Sequence, residues 1–153
     1  MLKIRMSRPS EAPEIIQIWK NSVDATHDFL TAKDRQEIEK EVIGFFSETP
    51  VWVATDREDH PLGFMFLHDG HLEALFVDAS ARGLGVGKQL ISHALALHPD
   101  LSVDVNEQNQ QAVGFYQYMG FQVTGRSARD SQGRPYPLLH LSKEPLVNDG
   151  SDD

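Results

Sequence analysis

The sequence predicts an α/β (α+β) fold: a mostly antiparallel sheet of about seven strands, about four helices, and one parallel β-α-β crossover near the middle of the sheet. Three observations carry this. Short apolar runs of strand length, several alternating with polar residues, recur between turn residues. Two stretches in the first third of the chain place apolar residues three and four apart, the period of a helix with one buried face. From Leu72 to Leu95 an apolar run passes through a glycine-rich turn directly into a helical pattern, and another strand-like run follows at Leu101.

Leu2, Ile4 and Met6 alternate with Lys3, Arg5 and Ser7 and make the first strand. Ser10 is the expected cap of a helix carrying Ile15, Ile16, Trp19 and Val23, with Pro13 tolerated in its first turn. From Ser22 to Leu30 the period is lost, and the chain reads as a loop dense in side chains such as Asp24, Thr26, His27 and Asp28. Thr31 with Asp34 resembles a capping box for a second helix, whose apolar stripe is Ile38, Val42, Phe45 and Phe46 and which Pro50 forbids from continuing. Val51 to Thr55 and Gly63 to Leu67 are strands on either side of a polar turn, and Asp69-Gly70 is a favoured hairpin turn into the strand that starts at Leu72. Leu90, Ile91, Ala94 and Leu95 mark the third helix, which His98-Pro99 ends, and Leu101 to Val105 is the fifth strand. Asn109 caps a fourth helix, Gly120 suits its C′ position, and Phe121 to Thr124 pairs with Pro137 to Leu141 in a terminal hairpin. The order is β-α-α-β-β-β-α-β-α-β-β. It reads as a single domain over residues 2–142, with 146–153 an acidic tail expected to be disordered.

The turn Arg82-Gly83-Leu84-Gly85-Val86-Gly87-Lys88 is the first candidate for chemistry. Its glycines remove Cβ obstruction, the helix start after it offers unpaired N–H groups and a partial positive charge, and Arg82 and Lys88 flank it. Such a turn binds an anion, most often a phosphate. A Walker A loop fails, because Arg82 stands where its first glycine belongs and Gln89 where its Ser or Thr belongs. A dinucleotide fingerprint also fails: its third glycine would fall on Lys88 or on Leu90.

What remains, Arg82-x-x-Gly85-x-Gly87, resembles the coenzyme A pyrophosphate loop of the GNAT superfamily of N-acetyltransferases. The stretch from Asn109 to Phe121 is similar to that family's second signature in its Asn109, Ala112, Tyr116 and Gly120-Phe121. The two motifs stand in the family's order, and the resemblance covers roughly Ile4 to Leu141. Ala79 is a departure, since many members carry Pro just before the loop. The resemblance implies a GNAT fold whose fourth and fifth strands splay apart to admit acetyl-coenzyme A as cosubstrate. It implies cofactor contacts from Leu75, Phe76 and Val77, from Arg82, Gly83, Leu84, Gly85, Val86, Gly87 and Lys88, and from Asn109 and Tyr116.

It also implies catalytic roles. Tyr116 matches the tyrosine that protonates the departing thiolate in this family. His71 and Glu73 lie two apart on one strand and project to one face, from which the family often draws its base; Glu73 is the expected base and Asp104 the second choice. Trp19, His27 and Phe29 resemble part of a signature of one small bacterial branch and are expected, with His71, to bind the acceptor. The chain has no Cys, which excludes an acetyl-cysteine intermediate and leaves direct attack of a primary amine in a ternary complex.

The formal net charge of −9 disfavours nucleic acid and favours an amine-bearing acceptor, either a small molecule or a lysine or N-terminal amine of a protein. Without Cys, an apolar run of membrane-spanning length or a basic-apolar leader, the expectation is a cytoplasmic protein with no membrane contact, monomeric or homodimeric. The seven His form no zinc pattern, so no metal is expected. A non-catalytic module that binds or senses acyl-coenzyme A is the alternative. Tyr116 favours the enzyme, because a sensor needs the glycine turn but no proton donor.

Overall fold

The computed structural model describes residues 2–26 and 29–143. Their elements follow in the anticipated order: β1 (Lys3–Met6), α1 (Ala12–Thr26), α2 (Ala32–Phe46), β2 (Trp52–Thr55), β3 (Pro61–His68), β4 (His71–Val77), α3 (Val86–Leu97), β5 (Ser102–Asn106), α4 (Gln110–Tyr118), β6 (Phe121–Ser127) and β7 (Leu138–Lys143). The strands form one seven-stranded sheet in the order β1-β2-β3-β4-β5-β7-β6. Only β4 and β5 are paired in parallel among the pairs whose register is defined. That mixture is the α/β arrangement the sequence implied. By compactness the chain falls into two units, one of residues up to Leu67 with Ala74–His93, the other of His68–Glu73 with the chain from Ala94 onward. Among the described residues no helix is long and apolar enough to cross a membrane.

In the first unit Ile15, Ile18, Trp19 and Val23 line one face of α1 and pack with Phe46, Val51, Val53 and Phe64. Phe46 meets Phe64 edge-on at 5.1 Å. Two details differ from the sequence reading. Ser10 does not cap α1; a 3-10 turn over Pro9–Glu11 precedes the helix, and the Glu11 carboxylate accepts the Arg8 N–H at 2.8 Å. Glu11 is also gripped by the Arg5 guanidinium through two bonds of 3.0 and 2.8 Å, and Arg5 reaches Asp59 at 2.9 Å. Arg5, held by these ion pairs, is partly buried and Met6 is exposed, so the expected alternation holds at Lys3 and Ile4 but breaks at the end of β1. The second difference is that α1 continues to Thr26 through part of the stretch read as loop, because Ser22 and Val23 are both buried and packing overrides the broken polar pattern. Thr31 caps α2 as expected, its hydroxyl accepting the Asp34 N–H at 3.1 Å.

Asp69 (φ 50°) and Gly70 (φ 76°) are both left-handed, as a two-residue hairpin turn of type I′ requires. In the second unit the parallel ladder pairs His71 with Ser102 and Leu72 with Val103, while β5 runs antiparallel to β7, with Asp104 opposite His140. Leu72, Val103, Val105 and Leu141 are buried on one face of these strands. Their neighbours in the alternation, His71, Ser102, Asp104 and His140, are polar and share the other face. The anticipated tail, 146–153, lies outside the described residues.

Candidate active site

The glycine-rich turn lies within the first unit and is built from its own neighbours. After β4 the Asp78 carboxylate caps a short 3-10 turn over Ala79–Ala81, accepting from the N–H (3.1 Å) and hydroxyl of Ser80, while its other oxygen accepts from the Asn21 amide of α1 at 2.8 Å. Burial pushes this carboxyl up, but the bonds from Ser80 and Asn21 outweigh it and hold Asp78 below the usual carboxylate range. Hydrogen bonds from Asn21 and Ser80 to Asp78 thus fix the approach to the turn.

Gly83 (φ 82°) and Gly85 (φ 79°) then take left-handed conformations, and no heavy atom lies within 4 Å of where a Cβ on either would stand. The backbone there is both unusual and open. The first helical bond of α3 runs from the Gln89 N–H to the Gly85 carbonyl at 3.0 Å, so the N–H groups of Val86, Gly87 and Lys88 precede it. Arg82, Leu84 and Lys88 are exposed around them, while Val86 is buried and anchors the helix start. It rests on Gly63 of β3, where an added Cβ would stand 2.8 Å from Val86 Cγ1 and 3.1 Å from the Phe76 carbonyl oxygen. Leu75, Phe76 and Val77 complete the half-buried end of β4, with Phe76 against Phe64 at 5.7 Å. An open turn of left-handed glycines leading into a helix start fits a pyrophosphate.

The second unit carries the acid and base candidates. Asn109 caps α4, its side-chain oxygen accepting the Ala112 N–H at 3.2 Å, a structural duty alongside the cofactor contact expected of it. Tyr116 is 6% exposed and packs edge-on against Phe115 at 5.2 Å and Phe121 at 5.7 Å. Burial pushes its hydroxyl far above the ordinary range, so it remains a protonated donor. Glu73 is exposed on the same face of β4 as His71.

Asp104, the second choice as base, is not a lone carboxylate. His140 Nδ1 lies 2.7 Å from its Oδ1 and His71 Nε2 lies 3.5 Å from its Oδ2. The outer ring nitrogens are also partnered, His71 Nδ1 with the Ser102 hydroxyl at 2.7 Å and His140 Nε2 with the Ser127 hydroxyl at 2.7 Å. His140, Ser102 and Ser127 were missed in the sequence; their common signal is cross-strand register, which spacing along the chain does not reveal.

Trp19, expected to bind acceptor, is 2% exposed, with the Arg35 guanidinium 4.7 Å above its ring. It is therefore a packed wall residue, because the spacing that places it on α1 also turns it into the core. Phe29 is half-buried, and His27 lies outside the described residues. For a metal, the convergent set among the described residues is Asp56, Glu58 and His60 in the β2–β3 turn; Asp56 already accepts the backbone N–H groups of Glu58 and His60 at 2.9 Å each.

Residues 17–135 match the family described as an acetyltransferase (GNAT) domain. The chain belongs to the GNAT family and is an N-acetyltransferase. It is 54% identical over 142 residues to the peptidyl-lysine N-acetyltransferase YjaB of Escherichia coli strain K12, a match spanning 93% of this chain and 97% of that protein. The solution structure of apo-form YjaB from Escherichia coli has a TM-score of 0.91 to this fold at 52% identity, covering 95% of this chain and 99% of the other. The PaiA N-acetyltransferase from Thermoplasma acidophilum, solved in complex with coenzyme A, shares the fold at a TM-score of 0.68 and 16% identity, over 94% of this chain and 99% of its own.

Proposed function

We propose that this protein transfers the acetyl group of acetyl-coenzyme A to the side-chain amine of a lysine in a protein or peptide. The observation that carries the cofactor is the turn at Gly83 and Gly85, whose left-handed, open backbone leads straight into the start of α3 and suits a pyrophosphate. The likeness to a peptidyl-lysine N-acetyltransferase over almost the whole chain supports lysine as acceptor. The chain's negative net charge agrees with a cationic acceptor, and its lack of Cys agrees with a cytoplasmic place of work. That the relative is an enzyme favours turnover over sensing.

When bound, the cosubstrate supplies the thioester whose carbonyl the amine attacks. Backbone N–H groups of Val86, Gly87 and Lys88 hold the pyrophosphate, and the edge of Leu75, Phe76 and Val77 aligns the pantetheine arm. Glu73 takes the proton from the amine, since it is exposed whereas Asp104 already faces two imidazoles. Tyr116, kept protonated by burial, gives a proton to the departing sulfur. The amine attacks directly, so no acyl-enzyme forms.

Coenzyme A release should be followed with lysine peptides, peptides with only an N-terminal amine, and small polyamines. Lysine peptides should be turned over with intersecting lines in two-substrate kinetics. Release on small polyamines or N-terminal amines but not on lysine peptides would overturn lysine as the acceptor, and parallel lines with a trapped acetylated side chain would overturn direct attack.

A further inference from the structure

The glycines of the anion-binding turn are not packed: no heavy atom lies within 4 Å of where a Cβ on Gly83 or Gly85 would stand. Glycine gives up more backbone freedom on ordering than any other residue, so a ligand that had to order this turn by itself would lose affinity to that cost. The ends of the turn are what can be fixed beforehand. On the α3 side Val86 rests on Gly63, and on the β4 side the chain leaves through Asp78 and the 3-10 turn Ala79–Ala81.

Asp78 engages all of its hydrogen-bonding groups. Its N–H donates to the Leu62 carbonyl of β3 at 2.8 Å, and its carbonyl accepts the Ala81 N–H at 2.9 Å. One carboxylate oxygen accepts from the N–H (3.1 Å) and hydroxyl of Ser80. These bonds are local or come from the neighbouring strand. The other oxygen accepts from the Asn21 amide at 2.8 Å, across 57 positions of sequence. A carboxylate only accepts, so Asn21 turns its NH2 toward Asp78 and its carbonyl away. That carbonyl accepts the Gln17 amide at 2.9 Å, one helical turn back along α1. Donation runs one way, Gln17 to Asn21 to Asp78, and Asn21 cannot flip without losing both bonds. The helix behind it is anchored in the core by Ile15, Ile18, Trp19 and Val23.

We propose that Asn21 is a positioning residue for the cosubstrate: acting through Asp78, it holds the Ala79–Ala81 turn, and with it the backbone of residues 82–85, in the form that receives the pyrophosphate. This rests on the coenzyme A reading above. Asn21 carries no charge, makes no contact with the anion and lies outside both sequence motifs. The coupling is reciprocal. If the Asn21 bond favours the ordered turn, a ligand that orders the turn strengthens that bond by the same factor and tightens the end of α1. Occupancy of the anion site is thereby felt on a helix that does not touch the anion.

Exchanging the two partners tests this. Asn21→Ala should raise the Kd for acetyl-coenzyme A roughly tenfold in a calorimetric titration at pH 7.5, the low end for a lost bond to a charged group. Asn21→Asp keeps the shape but sets two carboxylates against each other, and should weaken binding at least as much. Adding Asp78→Asn to Asn21→Asp swaps donor and acceptor: the amide now on the turn still accepts from Ser80 through its oxygen and donates to the carboxylate on α1, which still accepts from Gln17. Kd should then return to within about threefold of the wild type, with net charge and both shapes unchanged. In turnover the single variants should raise the KM for acetyl-coenzyme A and leave kcat alone. By hydrogen exchange, acetyl-coenzyme A should slow residues 21–25 of α1 in the wild type and in the exchanged pair, and not in Asn21→Ala. A wild-type Kd in Asn21→Ala, whatever its Tm, or an exchanged pair that regains Tm without regaining Kd, would reduce the contact to a fastening of the fold. If the wild type binds no acetyl-coenzyme A, the cofactor reading fails and takes this proposal with it. If it binds but releases no coenzyme A on any lysine peptide, only the acetyltransferase reading fails, and the Kd and exchange results still decide the role of Asn21.

Discussion

Replacing Tyr116 with Phe removes one oxygen from a ring that is 6% exposed and whose described contacts are the edges of Phe115 and Phe121. The ring packing survives the change, so folding stability at neutral pH should move by no more than about 1 kcal/mol, or roughly 3 °C in Tm. Catalysis should respond differently. Loss of a positioned general acid costs on the order of a hundredfold or more, which at about 1.4 kcal/mol per decade is nearly 3 kcal/mol of transition-state stabilisation. Burial raises the folded pKa of this phenol above its unfolded value near 10. Stability from that source is complete below about pH 10 and is lost as pH climbs toward the folded value, by up to about 1.4 kcal/mol for each unit. Tyr116→Phe cannot ionise there and should hold its Tm better than the wild type above pH 10. Calorimetric melts at pH 7 and pH 10.5, with coenzyme A release on a lysine peptide, test both halves. Equal turnover of the two proteins would refute the acid role, and a loss of several kcal/mol at pH 7 would show that the hydroxyl is structural.

Gly85→Asp should abolish detectable binding of acetyl-coenzyme A in a calorimetric titration, because it forces a β-carbon into a left-handed residue and sets a carboxylate beside the phosphates; Arg82→Ala should weaken binding by tenfold or less, since backbone donors make the contact. Asp78→Ala should cost about 1 kcal/mol of stability for each lost cap or tether and raise the KM for acetyl-coenzyme A, read from melts and initial rates; an unchanged KM would mean the turn holds its form without Asn21 and Ser80. The bonds from Arg5 depress the Glu11 pKa despite burial, so this pair stabilises the fold above the unfolded value near 4.3 and loses that contribution as pH falls through the lower folded value. Glu11→Gln should therefore lower Tm at pH 7, by an amount corresponding to about 3 kcal/mol for a broken buried pair, and the gap to the wild type should narrow in melts below pH 4.

Element order, the hairpin at Asp69-Gly70, the caps at Thr31 and Asn109 and the glycine turn were legible because each depends on neighbours a few positions away. Features joined across the sheet were not. Nothing local tells that Asp104 stands opposite His140, since that requires the register of β5 on β7, set in turn by a long connection after β6. Nor does local pattern reveal that Arg5, on the nominally polar side of β1, is drawn in by Glu11 and by Asp59 from a distant turn. The end of α1 was misplaced for a related reason: polar residues from Ser22 onward suggested a loop, but burial of Ser22 and Val23 holds the backbone helical. Trp19 was legible as core from the helical period of α1, and it is buried.

The fit of Val86 over Gly63 bears on transplanting this anion site into another scaffold. The turn motif begins at Arg82, yet the height at which its helix rides above the sheet is recorded nineteen positions earlier, at a residue no loop motif includes. A graft of residues 82–88 onto a host strand bearing any side chain at the position equivalent to Gly63 would carry the right sequence at the wrong elevation. The dependence is reciprocal but incomplete: trimming Val86 to Ala clears the Cγ1 that the new β-carbon of a Gly63→Ala substitution would strike at 2.8 Å, while the Phe76 carbonyl at 3.1 Å stays in place. Gly63 and the turn are thus inherited as a linked pair, and a protein engineer moving one has to move both.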